Sequence, residues 1–140
     1  MKIIIYTQAN DIVAIIRPTK EALAVFDIED IAKKDVPEGI PYKIVDATGI
    51  PTDRTFRDAW EIGDDFAINT NIGKAKIIAH TKRRSARAEE LKSLDIQATI
   101  PSKAVQAENE RQAIREKYAA MQSEIDGATT PDEIKIALAK

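Results

Sequence analysis

Ile3-Ile4-Ile5-Tyr6 and Ile12-Val13-Ala14-Ile15-Ile16 decide how the chain begins to fold. Between these two β-branched and aromatic runs lies Thr7-Gln8-Ala9-Asn10-Asp11, polar and ending in turn formers. The runs read as antiparallel strands and the polar segment as their hairpin connection. Pro18 ends the second strand, because proline has no N–H to give to a ladder. Neither run alternates polar with apolar residues. Two arrangements satisfy that pattern: both faces of the strands are covered, or the strands pair inside an assembly.

Working outward, residues 19–35 read as one or two short helices, Glu21 to Val25 and Ile28 to Lys33, with Leu23, Phe26 and Ile31 at helical spacing. Pro37, Gly39 and Pro41 then forbid regular structure. Tyr42-Lys43-Ile44-Val45 alternates and predicts a third strand. Thr52 or Asp53 is placed to cap a short helix through Trp60, with Phe56, Ala59 and Trp60 on one side. Phe66-Ala67-Ile68 reads as a further short strand, leading to a helix entrance at Asn69-Thr70-Asn71.

Beyond residue 72 the character changes. Lys74 to about Leu94 contains no proline or glycine, Leu94-Asp95-Ile96 and Thr99-Ile100-Pro101 suggest a break, and Ala104 to Ile125 is again uninterrupted. Ala104, Ala107, Arg111, Ile114, Tyr118, Met121 and Ile125 fall at alternating three- and four-residue steps, one stripe of a two-helix seam. Ala75, Ile78, Ser85, Ala88 and Leu91 supply the expected facing stripe. Gly127 is a stop signal. Thr130-Pro131-Asp132-Glu133 then reads as a capping box opening a last short helix that buries Ile134, Ala137 and Leu138. The fold class is therefore α+β, with a small β-rich domain over residues 1–70 and an antiparallel helical hairpin with a short terminal helix over 71–140. The hairpin stripe is dilute, rich in alanine, and is expected to need a docking partner: the β-rich half, another copy or another protein.

Composition narrows the chemistry. The chain has no cysteine and one histidine, so disulfides, thiolate metal sites, cysteine nucleophiles and His-rich sites are not expected. A net charge of −2 exerts no global pull on nucleic acid. No apolar run reaches the ~18 residues of a membrane helix, and no secretory leader follows Met1. There is no Gly-rich phosphate-binding pattern. The expectation is a non-enzymatic protein without a cofactor.

Three clusters carry charge or chemistry. Lys74, Lys76, Lys82, Arg83, Arg84 and Arg87 form a basic stretch. At about 100° per residue Lys82, Arg83 and Arg84 cannot share one helix face. No aromatic is interleaved to stack on bases. Glu89, Glu90, Glu108, Glu110 and Glu116 balance the charge. A solvated helix face is expected, with nucleic-acid binding through Lys82, Arg83, Arg84 and Arg87 as the alternative. Asp53, Asp58, Asp64 and Asp65 are the acidic candidates for metal or acid–base work, but they lack the alternate spacing and central glycine of a calcium loop. The stretch Asp53-Arg54-Thr55-Phe56-Arg57-Asp58-Ala59-Trp60 reads instead as packing, with Phe56 and Trp60 as anchors and Arg57 pairing with a carboxylate or carbonyl. His80, between Ala79 and Thr81, has no local acid–base partner and is expected on the helix surface or in the seam.

Val36 to Asp46, Ile50 to Trp60, Lys74 to Ile78, Arg83 to Arg87, Leu91 to Asp95 and Ala128 to Lys135 together resemble small proteins encoded among the virion genes of tailed bacteriophages and prophages, some of them tail or tail-fibre-assembly proteins. The Asp-Arg-Thr-Phe-Arg-Asp-Ala-Trp string is the specific part; the helical tail is generic, and Ile114-Arg115-Glu116 departs from the pattern. The resemblance implies a structural or assembly role in the phage particle, in the virion or in the host cytoplasm during assembly. It implies other virion proteins as partners, a homo-oligomer or larger assembly, and no catalytic residues. The accompanying expectation is that the β-rich half docks through open strand edges and the Phe56/Trp60 region, and that the hairpin pairs with a partner or itself through Ile114, Tyr118 and Met121. A head decoration role is a further alternative to the tail.

Overall fold

The computed structural model describes residues 1–140. The chain divides into two units, Met1–Asn71 and Ile72–Lys140, within one residue of the expected boundary. The α+β class and the long helix pair are as read from the sequence.

The first unit is a three-layer structure. Strands β1 (Lys2–Thr7), β2 (Val13–Ile16) and β3 (Tyr42–Asp46) form an antiparallel sheet in the order β2-β1-β3. Helices α1 (Lys20–Val25) and α2 (Ile28–Asp35) follow β2, and a separate ribbon pairs β4 (Trp60–Ile62) with β5 (Ile68–Thr70). Ile3, Ile5 and Val13 pack with Ile50, Trp60 and Ile68 on one sheet face. Ile4 and Tyr6 pack with Ile31, Ala32 and Val36 on the other. The unbroken apolar runs are thus explained within the chain, because it covers both faces of its own sheet.

Local chemistry sets the element ends. Thr19 accepts a hydrogen bond from the Ala22 N–H and caps α1. Glu29 and Asp30 open α2 while Lys33 and Lys34 close it, each matching the helix dipole. Gly39, at φ 81°, permits the turn in which the Ile40 N–H returns to the Pro37 carbonyl.

Five expectations need correction here. No helix runs from Asp53 to Trp60. The Asp53 carboxylate accepts from the Thr55 N–H and hydroxyl, closing a local turn rather than a helix end. Only a 3-10 turn, Arg57–Ala59, follows, and Trp60 already pairs with Thr70 as a strand residue. The last strand lies two residues later than read: Asn69 and Thr70 belong to it, while Phe66 sits in the preceding turn at φ 62°. Leu23 and Phe26 lie exposed, and only Ile31 of that trio is interior.

In the second unit α3 (Ile72–Gln97) and α4 (Ala104–Gly127) form the long pair, and α5 (Pro131–Leu138) packs against both. The fourth correction is that α3 passes unbroken through Leu94-Asp95-Ile96, with Leu94 buried. The α4 stripe is as read: Ala107, Tyr118, Met121 and Ile125 are buried, and Ala104, Arg111 and Ile114 are half-buried. On α3 the buried residues are Ala75, Ala79, Arg83 and Leu94, whereas Ser85 and Ala88 are exposed. A long arginine stem, not the small residues, continues that stripe. Thr130 caps α5 by accepting from the Glu133 N–H, and the Glu133 carboxylate reaches back to the Thr129 N–H. Within this unit α5 is the third element that the dilute hairpin seam requires, contributing buried Ile134 and Ala137, with Leu138 half-buried.

Candidate functional site

The distinctive motif is interior. Phe56 is 4% exposed and Trp60 2%, so neither side chain is offered to a partner. Arg57 lies over the Trp60 ring at 4.6 Å and donates from its guanidinium to the Val13 carbonyl. Burial lowers the Arg57 pKa from the ordinary arginine value. Arg54 is farther from the same ring, at 5.8 Å. The motif therefore ties the 3-10 turn and β4 to the outer side of β2.

The acidic candidates do not converge: no group of three or more His, Asp or Glu side chains is placed to hold a metal ion. Asp53 and Asp65 each hold their own turn, Asp65 by accepting from the Ala67 N–H.

The basic stretch does not form one surface. Lys82 and Arg84 are exposed, Arg87 is half-buried and Arg83 is buried. Burial and the neighbouring Arg87 and Arg84 lower the Arg83 pKa. The Arg83 Nε–H points to His80 Nδ1 at 3.4 Å, which leaves His80 Nε2 to meet Asp126 at 2.7 Å. Lys76 donates to the Asp126 carbonyl at 2.8 Å. His80, against which Arg83 rests, and Lys76 thus join α3 to the end of α4.

Ile114, Tyr118 and Met121 face the seam inside the unit. Tyr118 donates its hydroxyl hydrogen to Glu90 at 2.8 Å, and Lys117 reaches the same carboxylate at 3.0 Å. These bonds hold the Glu90 pKa below the usual carboxylate range. Burial and the Glu90 bond raise that of Tyr118. With Tyr118 and Met121 buried, an intact hairpin cannot present this stripe to another protein.

What the first unit does expose was missed in the sequence. Leu23, Val25 and Phe26 are 43%, 73% and 52% exposed along and just after α1. Of the three, Phe26 lines a hollow of about 380 Å3, together with Ala22, Asp30, Ile31, Lys34 and Asp35. The available signal was Ala22 to Phe26, five apolar residues in a row, which is more than a six-residue helix can bury on one side. A second groove, about 430 Å3, lies between β3 and the β4–β5 turn and is lined by Ile40, Tyr42, Lys43, Ile62 and Phe66 among others.

No helix is long and apolar enough to cross a membrane. No protein-family model matches the chain, and no curated protein or solved structure is significantly similar to it.

Proposed function

We propose that this chain is a bacteriophage structural or assembly protein that works by protein–protein binding, associated with the tail. The observation that carries the binding reading is the exposure of three large apolar side chains, Leu23, Val25 and Phe26, within four residues along and just after α1, with Phe26 lining a hollow. Clustered exposure of large apolar side chains marks an interaction surface, whereas scattered single ones do not. The phage assignment rests on the Asp53–Trp60 motif and its flanking segments. The docking partner is another virion protein, and the place of action is the virion or the host cytoplasm while particles are built. The basic helix favours no second reading, since Arg83 is interior.

Mass spectrometry of purified virions, alongside affinity capture of the chain from infected cells, tests this. The expected result is stoichiometric presence in particles, or a discrete complex with one virion protein for a factor that departs. Replacing Leu23, Val25 and Phe26 together by Ser should abolish either result and leave Trp60 fluorescence native. Absence from particles together with no virion-protein complex would end the proposal.

A further inference from the structure

The two edges of the three-stranded sheet are treated differently. In an antiparallel ladder, directly opposed residues alternate between pairs that exchange hydrogen bonds and pairs that do not. The Gln8 N–H bonds to the Ile12 carbonyl, so the bonded β1–β2 pairs are Tyr6 with Ala14 and Ile4 with Ile16. Val13 therefore points its carbonyl outward, and Arg57 occupies it. On the other side the Ala47 N–H bonds to the Met1 carbonyl, so the bonded pairs are Ile3 with Val45 and Ile5 with Lys43. Tyr42, Ile44 and Asp46 consequently aim their N–H and C=O groups away from the sheet, and no strand lies beyond them.

We propose that β3 is the dimerisation edge of this protein, pairing antiparallel with β3 of a second copy. The strand contains no proline and its register with β1 is unbroken, so no bulge turns it away; its lysine, Lys43, is drawn over the Phe66 ring and not across the edge. Its sequence is also self-complementary. A two-fold axis at Ile44 sets Ile44 against Ile44, Tyr42 against Asp46 and Lys43 against Val45 of the second copy. All three outward-facing residues then fall in hydrogen-bonded pairs, and no like charges are directly opposed. Shifting the register by one step in that direction or the other would place Lys43 against Lys43, or leave Tyr42 unpaired. The two Lys43 side chains lie on a diagonal across the seam, and each ammonium is drawn 4.1 Å over its own Phe66 ring, which keeps the charges apart. The product is a six-stranded sheet, an isologous contact that closes and leaves only the Arg57-guarded β2 edges outside.

The test is hydrogen exchange on the unmodified full chain at two concentrations, with sedimentation equilibrium on the same samples. The expected result is a dimer whose Tyr42 and Ile44 amides slow by at least roughly tenfold between dilute and concentrated samples. The amides of Lys43 and Val45, already bonded to β1, stay protected in both. Ile44→Lys, which opposes two ammoniums across the axis, should return the chain to monomer. A chain that stays monomeric at about 0.5 mM, or a dimer in which Tyr42 and Ile44 exchange independently of concentration, overturns the proposal even if Ile44→Lys fails to fold.

Discussion

Asp11 and Phe66 occupy the same position in two different hairpins. Each has φ 62°, and each returns its N–H to the carbonyl three residues back, Asp11 to Gln8 at 3.0 Å and Phe66 to Gly63 at 2.9 Å. The loops close alike, the Gln8 N–H on the Ile12 carbonyl and the Gly63 N–H on the Ala67 carbonyl. Aspartate tolerates the left-handed region; a bulky aromatic there is strained. No burial compensates, since Phe66 is 45% exposed. What it gains is the Lys43 ammonium over its ring.

Phe66→Gly should therefore leave the first unit as stable or more stable. The relieved backbone strain is about 1–2 kcal/mol, against a lost exposed cation–π contact of about 0.5–1 kcal/mol. Phe56→Ala, at a 4% exposed position, should cost about 3–5 kcal/mol. Trp60 is the sole tryptophan and buried, so urea titration by its fluorescence reads this unit alone. A Phe66→Gly loss above about 1 kcal/mol would show that the ring is structural after all.

Arg57→Ala should destabilise the same unit by about 1.5–3 kcal/mol, because it strips a charged donor from the Val13 carbonyl. Arg57→Lys should fall between, since an ammonium restores the charge but not the planar stack on Trp60. The same fluorescence titration measures both. Equal effects of Ala and Lys would mean that neither the stem nor the bare charge contributes, and that the whole loss lies in the planar stack on Trp60 and the directed bond to Val13.

Lys82 and Arg83 are neighbours in sequence with opposite expected consequences. Arg83 is 6% exposed and reaches His80, while Lys82 is exposed. Arg83→Ala should cost about 1–3 kcal/mol through lost packing and an orphaned partner. Lys82→Ala should stay within about 0.5 kcal/mol. Thermal unfolding followed by helical circular dichroism separates them. Equal small losses would place the Arg83 stem outside the seam.

These contrasts show what could be read from the sequence. Period and punctuation were enough for β1 and β2, for the α4 stripe from Ala107 to Ile125, and for the Thr130 cap, because each is local and repeated. Asp53 to Trp60 failed because Asp53 has two turn chemistries open to it, and only the cross-strand partner Thr70 selects the strand for Trp60. The α3 stripe failed for another reason. Ser85 and Ala88 look like close-packing residues, but helix rotation places Arg83 in the seam, and its stem fills space that composition assigns to an apolar residue. Exposure at Leu23 and Phe26 was equally hidden, since apolar residues at helical spacing look alike whether or not anything covers them. The self-complementarity of β3 was present in the sequence but had no meaning until β3 was known to lie at an edge.

The cluster of Glu90, Tyr118 and Lys117 couples the acid and alkaline responses of the second unit, with Glu108, lowered by Arg115, and Glu133, lowered by the Thr129 N–H, adding to the acid side. The Glu90 pKa is lowered by the Tyr118 hydroxyl first and Lys117 second. A depressed carboxylate contributes stability that is present above its unfolded value, about 4.3, and lost as pH falls through the folded one. Tyr118 is raised, by burial first and the Glu90 bond second, and Lys117 is raised by Glu90. Raised groups contribute stability that is complete below their unfolded values, about 10 for tyrosine and 10.4 for lysine, and lost as pH climbs through the folded ones. Helical circular dichroism against denaturant should thus give a plateau between these limits that declines on both sides. Glu90→Gln should remove the Glu90 share of the acid decline and reduce the alkaline one, leaving there the part of the Tyr118 shift that burial causes. Tyr118→Phe should cost about 1 kcal/mol at neutral pH, weaken the acid decline and remove the tyrosine part of the alkaline one. If Glu90→Gln alters only the acid side, the tyrosine owes its shift to burial alone, and the seam bond contributes nothing to the alkaline limit.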